Sequence, residues 1–178
     1  MSTKTAMQKI KQRGFTLVEV LVATIVLLTG IVAVAQLVPV AITANNGNRR
    51  DSTASVIAQR ELSQMLEQPM TSVQFTDALG NVCNLGDPAA PGVTVGSPVI
   101  ITANRPAINF TAGKVAGYNF TTVADPEDPF AAQFDVRWAV ITDGNGATAS
   151  SRRFIIGARQ TNAQSYIVPL TLDAMVQR

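Results

Sequence analysis

The sequence predicts an α+β fold in which a long N-terminal helix packs against a small antiparallel β-sheet. Three observations lead to this prediction. An apolar stretch covers residues 15–44, an amphipathic helical pattern follows up to residue 68, and β-branched runs separated by turn-forming residues fill residues 69–178. With 178 residues, of which 47% are hydrophobic and 15% charged, the chain has room for one globular unit and an additional segment.

Residues 1–14 form a basic leader. The whole chain carries 14 Lys and Arg against 12 Asp and Glu, but the leader holds four of the basic residues and no acidic one. The remainder therefore has 10 basic and 12 acidic residues, a net charge of −2. Such a mildly acidic body has no basic runs, so we expect no nucleic-acid partner. The basic residues of the leader are Lys4, Lys9, Lys11 and Arg13.

Residues 15–44 are predicted to form a transmembrane helix. Glu19 is the only charged residue among these thirty. At about 1.5 Å per residue they would reach about 45 Å, which exceeds the roughly 30 Å of a hydrocarbon core. The basic leader favours an N-terminus in the cytoplasm and a C-terminal domain in the periplasm. Pro39 predicts a kink near residues 35–39.

Residues 45–68 are predicted to continue this helix as an amphipathic segment. Its apolar residues recur at spacings of three and four, which forms one stripe, and Glu61 and Glu67 are expected to lie off it. Pro69 should end the helix. The Asn-Asn-Gly-Asn run at residues 45–48 predicts a loosened turn near the start. The stripe consists of Ala54, Ile57, Ala58, Leu62, Met65 and Leu66.

Residues 69–178 are predicted to form a β-rich globular domain. In the predicted strand at residues 134–141 apolar and polar residues alternate, which indicates one buried face. Trp138 lies on that face and is expected in the core. The cluster at residues 143–146 predicts a hairpin turn, and residues 80–98 a long loop. Arg152 and Arg153 are expected to be solvated. The predicted strands are residues 99–102, 118–123, 134–141 and 153–158.

The composition excludes several enzyme classes. The chain has no His and a single Cys, Cys83, which excludes Ser-His-Asp and Cys-His nucleophilic sites, His-bound zinc or haem, and an intrachain disulfide. We therefore expect no catalytic residue, no cofactor, no metal site and no enzymatic activity. Cys83 is interpreted as a buried or incidental thiol, with pairing between chains as the alternative. The acidic segment Asp125–Asp128 fits either a calcium loop or, more commonly, a surface turn.

Glu19 has the strongest functional signal in the sequence. A carboxylate in hydrocarbon costs a few kcal/mol on insertion scales and by default marks a functional contact. No cationic partner lies elsewhere in the span. A free α-amino group on Phe15, created by cleavage after Gly14, would supply one on the same chain or on a neighbouring chain.

The segment Gly14-Phe15-Thr16-Leu17-Val18-Glu19 resembles the class III signal of type IV prepilins and type II secretion pseudopilins. The resemblance implies that prepilin peptidase cleaves between Gly14 and Phe15, removes the leader and methylates the nitrogen of Phe15. It implies that Glu19 serves subunit assembly by pairing with the terminus of another subunit. The implied partners are other pilin subunits, the inner membrane and the pilus assembly machinery.

The rest of the chain is similar to PilV-like minor pilins, through the Trp-bearing strand at residues 135–140 and the strand at 153–158. A single cysteine rules out the C-terminal disulfide loop common in major pilins, and Pro39 lies further along the helix than their proline. Both differences favour a minor pilin, or a pseudopilin as the alternative.

Two other interpretations stay open. Ala33-Val34-Ala35 satisfies the small-x-small rule of an ordinary secretory signal, which would leave a secreted protein beginning at Gln36. Alternatively, the apolar segment is an uncleaved anchor for a periplasmic binding or interaction domain. Neither interpretation explains Glu19.

Overall fold

The computed structural model describes residues 14–128, 131–145, 148–162 and 169–177. Over these residues it contains one helix and nine strands. A long apolar helix with antiparallel strands packed against it confirms the predicted α+β class. The elements are α1 (Leu17–Glu67), β1 (Gln74–Thr76), β2 (Val82–Asn84), β3 (Thr94–Gly96), β4 (Val99–Thr102), β5 (Arg105–Ile108), β6 (Asn119–Val123), β7 (Gln133–Asn145), β8 (Thr148–Gln160) and β9 (Leu170–Gln177).

The chain divides into two compact units, with the division between Asn46 and Gly47. Residues 1–13 of the predicted leader lie outside the described residues. The boundaries predicted after residues 14, 44 and 68 stay predictions.

The N-terminal unit holds the first part of α1, whose apolar side chains are exposed. Leu21 and Leu28, for example, are 52% and 61% exposed. The helix continues through Pro39, and the kink expected there stays a prediction. Three threonine hydroxyls in this part of the helix each donate to the carbonyl oxygen four residues earlier. Because these donors are satisfied within the helix, they add little to the free energy of placing it in an apolar environment. They belong to Thr24, Thr29 and Thr43, at 3.0, 3.1 and 3.0 Å.

The loosened turn predicted at residues 45–48 is wrong, because α1 is helical throughout this segment. Each asparagine costs under about 1 kcal/mol relative to alanine in a helix, and Gly47 costs about 1 kcal/mol. An interruption would instead leave up to four C=O groups at the new C-terminal end and up to four N–H groups at the new N-terminal end without intrahelical partners. Continuing the helix is therefore cheaper than breaking it.

The predicted apolar stripe of α1 forms one side of the main core in the C-terminal unit. Ala58 is fully buried and Met65 is 1% exposed, and both pack in one cluster with Phe134, Val136 and Trp138. The stripe prediction is therefore confirmed in this part of the helix.

Glu61 lies inside this stripe rather than off it, and it is fully buried. The prediction that Glu61 lies off the stripe was wrong because it rested on the polarity of the side chain and not on its spacing along the helix. Glu61 follows Ala58 by three residues and precedes Met65 by four, so it shares their face of the helix. Glu67, by contrast, is exposed as expected.

Trp138 is fully buried, as predicted, and lies where three strands of the five-stranded sheet meet. The sheet runs in the order β3, β7, β8, β9, and β6 also pairs with β7. Tyr118 O accepts from Trp138 N at 3.1 Å, and Trp138 O accepts from Ser97 N at 2.8 Å. A Cβ on Gly96 would lie 2.6 Å from Trp138 O, and Gly96 has a φ of +99°, so only glycine fits there.

The single buried face predicted for residues 134–141 is wrong, since both faces of this part of β7 are covered. Asp135 and Arg137 are only 1% and 4% exposed. A second apolar cluster covers this outer face, and β5 is part of it. The cluster consists of Ile108, Phe110, Ala139 and Ile155, with Val99 and Ile141 packed against it.

The hairpin of β7 and β8 is confirmed, but the first three residues of its predicted turn belong to β7. Asp143, Gly144 and Asn145 still pair with β8, with a register shift between Asp143 and Gly144. Such a bulge lets turn-forming residues remain within a strand pair. Gly146, the last residue of the predicted turn, lies outside the described residues.

Several short elements depart from the predictions. The long loop expected at residues 80–98 contains β2 and β3, and three further strands (β1, β5 and β9) lie where none is predicted. Three or four residues are too few for a clear alternation of apolar and polar positions, which explains all of these except β9.

Arg152 is 1% exposed, so its expected solvation is wrong. Its Nη1 donates to Ser72 O at 2.7 Å and its Nη2 to Gly86 O at 3.4 Å. The guanidinium is thus held by carbonyl oxygens of loops distant in sequence. Arg153 remains partly exposed and pairs with Asp173.

Candidate functional site

The segment that contains the predicted cleavage site precedes α1 and is not helical. Gly14, Phe15 and Thr16 are all exposed, and Phe15 is 81% exposed. An exposed, non-helical peptide bond is the kind of bond that a protease can bind and cleave. The Gly14–Phe15 bond therefore has the accessibility that its predicted cleavage requires.

Thr16 caps the N-terminus of α1. Its Oγ1 accepts from Glu19 N at 3.3 Å, and its carbonyl oxygen accepts from Glu19 N at 3.1 Å and from Val20 N at 3.2 Å. This is one half of a capping box, the Thr-x-x-Glu pattern that marks helix starts. This role of Thr16 was not predicted, although the spacing of Thr16 and Glu19 in the sequence is typical of such a cap.

The carboxylate of Glu19 lies in the first turn of α1 and is exposed. In the described residues it forms no hydrogen bond and no salt bridge. The partial positive charge at a helix N-terminus favours a carboxylate there, typically by 0.3–1 kcal/mol. The N-terminus of the helix thus partly stabilises the charge of Glu19, and its carboxylate oxygens remain available to a cation.

Phe15 and Glu19 line the same shallow groove on the surface of the helix. The other lining residues follow at helical spacing, and Ala23 in the middle leaves little side-chain bulk. A surface of this kind can receive the side chains of a second helix. The remaining lining residues are Val20, Ala23, Thr24 and Leu27.

The acidic segment considered for calcium forms a hydrogen-bonded turn. Asp125 Oδ1 accepts from Glu127 N at 3.0 Å, and Asp125 O accepts from Asp128 N at 3.3 Å. Turn geometry therefore accounts for Asp125, and the interpretation as a surface turn is favoured.

A second group of polar side chains lies in the C-terminal unit, between α1 and the β1–β2 hairpin. Cys83 is fully buried, which confirms the prediction of a buried thiol, and its Sγ lies 3.4 Å from Glu61 Oε1. Burial raises the pKa of Glu61 to about 7, although the hydrogen bond from Cys83 opposes this shift and the charge of Asp77 adds to it. Burial also raises the pKa of the Cys83 thiol.

Comparison with known protein families gives one match. The prokaryotic N-terminal methylation motif matches residues 9–35, which include the predicted cleavage site and Glu19. No curated protein and no solved structure matches the chain significantly. The described part of the chain contains one helix, α1, that is long and apolar enough to cross a membrane, which together with the motif fits a membrane-anchored protein. The chain thus carries the motif of the type IV prepilins and pseudopilins, the substrates of prepilin peptidase.

Proposed function

We propose that the chain is a minor type IV pilin with a structural, non-catalytic role. Prepilin peptidase cleaves it between Gly14 and Phe15 and methylates the new terminal nitrogen. The first part of α1 then holds the subunit in the inner membrane with the C-terminal unit in the periplasm. The pilus assembly machinery builds it into a pilus or uses it to prime one, through contacts between its helix and those of other subunits.

One observation carries this proposal, which is the arrangement of Phe15 and Glu19 on one exposed apolar helix surface. Phe15 precedes the helix and Glu19 lies in its first turn, and both line the same groove. The Phe15 amine of a cleaved chain and the Glu19 carboxylate are oppositely charged groups about 6 Å apart along the helix axis, so a parallel neighbour offset by about one turn would bring the amine of one subunit to the level of the carboxylate of the other. Pairing them would offset the cost of burying Glu19 in an apolar bundle.

The first test is the N-terminus of the protein purified from its native membranes. Mass spectrometry and N-terminal sequencing should find methylated Phe15 as the first residue. A chain that begins at Gln36 would establish an ordinary secretory signal, and a chain that retains Met1 would establish an uncleaved anchor. Either result overturns the proposal.

The second test separates insertion from assembly. Glu19→Ala should leave the amount of processed protein in the membrane unchanged and lower its amount in sheared filaments by at least tenfold. Glu67→Ala is the matched control, because Glu67 is an exposed acid near the other end of the same helix. Normal incorporation of the Glu19 variant would refute the assembly role. If the wild-type protein is processed but occurs only in a periplasmic secretion assembly, the pseudopilin alternative replaces the pilin.

A further inference from the structure

Three potential metal ligands from three separate segments converge inside the C-terminal unit. Glu61 comes from α1, Asp77 directly follows β1, and Cys83 lies on β2. One ligand atom from each lies within 4.8 Å of the other two, and all three side chains are buried. This is the only such group of three among the described residues.

The distances around the sulfur suit a small metal ion. Cys83 Sγ lies 3.4 Å from Glu61 Oε1 and 3.7 Å from the carbonyl oxygen of Asn81. A tetrahedral site with bonds of about 2.3 Å to sulfur and about 2.0 Å to oxygen places sulfur and oxygen about 3.5 Å apart. The Cys83 and Glu61 ligand atoms already have this separation. All three ligand atoms lie within 4.8 Å of one another, so no pair has to shorten by more than about 1.5 Å.

The second carboxylate oxygen of Glu61 is available to a bound cation. Glu61 Oε2 is buried and has no hydrogen-bond partner in the described part of the chain. Glu61 also forms no salt bridge to a described residue. An unsatisfied carboxylate oxygen in the interior is costly, and a bound cation would remove that cost.

Asp77 is held in place as metal ligands commonly are. Its Oδ1 accepts from Leu79 N at 2.9 Å and from Asn81 N at 2.7 Å, and its Oδ2 accepts from the side-chain amide of Asn81 at 2.8 Å. An ionised carboxylate offers about four lone-pair sites, so three accepted hydrogen bonds leave one free. These hydrogen bonds fix the orientation of the carboxylate before any ion binds.

We propose that Glu61, Asp77 and Cys83 bind a divalent transition-metal ion of the zinc class. A thiolate combined with carboxylates suits zinc or cobalt, whereas calcium and magnesium take oxygen ligands alone. On binding, the Cys83 S–H bond breaks, its proton passes to solvent and a sulfur–metal bond forms. Water or the Asn81 carbonyl oxygen completes the fourth position. The ion would join α1 to the β1–β2 hairpin.

Cobalt(II) binding to the full-length protein tests the site directly. The detergent-solubilised chain is treated with chelator, dialysed and titrated with cobalt(II). We expect one cobalt per chain and a thiolate-to-cobalt charge-transfer absorption band, which zinc(II) then abolishes by displacement. Cys83→Ser should remove the band, and Glu61→Gln should weaken cobalt binding at least tenfold. Asp125→Asn, an exposed acid outside the cluster, should change neither.

The wild-type spectrum keeps this test decisive even where a variant folds poorly. If wild-type protein shows no charge-transfer band, or binds cobalt equally well after Cys83→Ser, the proposed site does not exist. A loss of affinity in Asp125→Asn as large as that in Glu61→Gln would also overturn it. Zinc should in addition raise the melting temperature of the wild-type protein and leave that of Cys83→Ser unchanged. An equal rise in both would contradict the site.

Discussion

Arg137 and Asp135 form a buried ion pair on the outer face of β7, with Nη2 and Nε of the guanidinium 2.9 Å and 3.1 Å from Asp135 Oδ2. Lys114 and Arg159 approach the same carboxylate, at 3.3 Å and 3.5 Å. The guanidinium groups of Arg137 and Arg159 also lie 5.2 Å and 4.9 Å from the centroid of the Phe110 ring. The Asp135 carboxylate thus lies close to three cationic side chains, and two of these also contact the aromatic ring that covers this face.

Asp135→Asn should destabilise the protein by about 3–5 kcal/mol, because it leaves buried Arg137 without its counter-charge. Urea denaturation followed by the fluorescence of the single tryptophan, Trp138, measures the effect. Asp173→Asn is the control, since the Arg153–Asp173 pair is 41% and 44% exposed and such pairs contribute about 0–1 kcal/mol. Similar losses in the two variants would argue against a special role for Asp135.

Gly157→Ala should also destabilise the protein. A Cβ on Gly157 would lie 2.9 Å from the Phe110 side chain and 3.0 Å from that of Ile108, so the outer cluster would have to move away from β8. Overpacking of this kind typically costs 1–3 kcal/mol. Gly113→Ala is the matched control, because no atom lies within 4 Å of its added Cβ. Urea denaturation followed by Trp138 fluorescence measures both variants. Equal free energies of unfolding for the two would contradict the close packing at Gly157.

Gly47→Ala should stabilise the helix by up to about 1 kcal/mol, because alanine is the better helix former and its Cβ meets no atom within 4 Å. Gly80→Ala is the contrasting control. It also has open space around it, but its φ is +85°, so the change should destabilise. Melting temperatures of the two variants should therefore move in opposite directions. A loss of stability in Gly47→Ala would indicate that residues 45–48 leave the helix after all.

Glu61 should make stability fall as the pH rises in protein treated with chelator. Its pKa is raised from 4.5 to about 7 in the folded state, so between these values the folded state binds more protons than the unfolded state. The unfolding free energy should therefore decrease through this window, by at most about 3 kcal/mol, and level off above about pH 7.

Glu61→Gln removes this titration and supplies the comparison. The stability of the Gln variant relative to wild type should increase between pH 4.5 and pH 7.5, whatever the other carboxyl groups do. A constant difference across this range would show that Glu61 has an ordinary pKa in the folded protein.

Local sequence patterns predicted the elements whose causes are local. The spacing of apolar residues along α1 placed Ala58 and Met65 in the core, and alternation in β7 placed Trp138 there. Arg152 could not be judged in this way, because its carbonyl partners on Ser72 and Gly86 lie 80 and 66 residues away. The contact between Glu61 and Cys83, which are 22 residues apart, could not be predicted either, because helical periodicity relates only residues of the same helix.

The hydrogen bonds of Arg152 also affect how the molecule opens. Its guanidinium attaches the connection after α1, at Ser72, and the loop after β2, at Gly86, to the middle of the sheet. These two loops cannot detach without exposing a buried charged group or breaking β8 from its neighbours. Backbone amides in the β1–β2 hairpin should therefore exchange with deuterium only in large-scale unfolding, together with those of β7 and β8, rather than by local fraying.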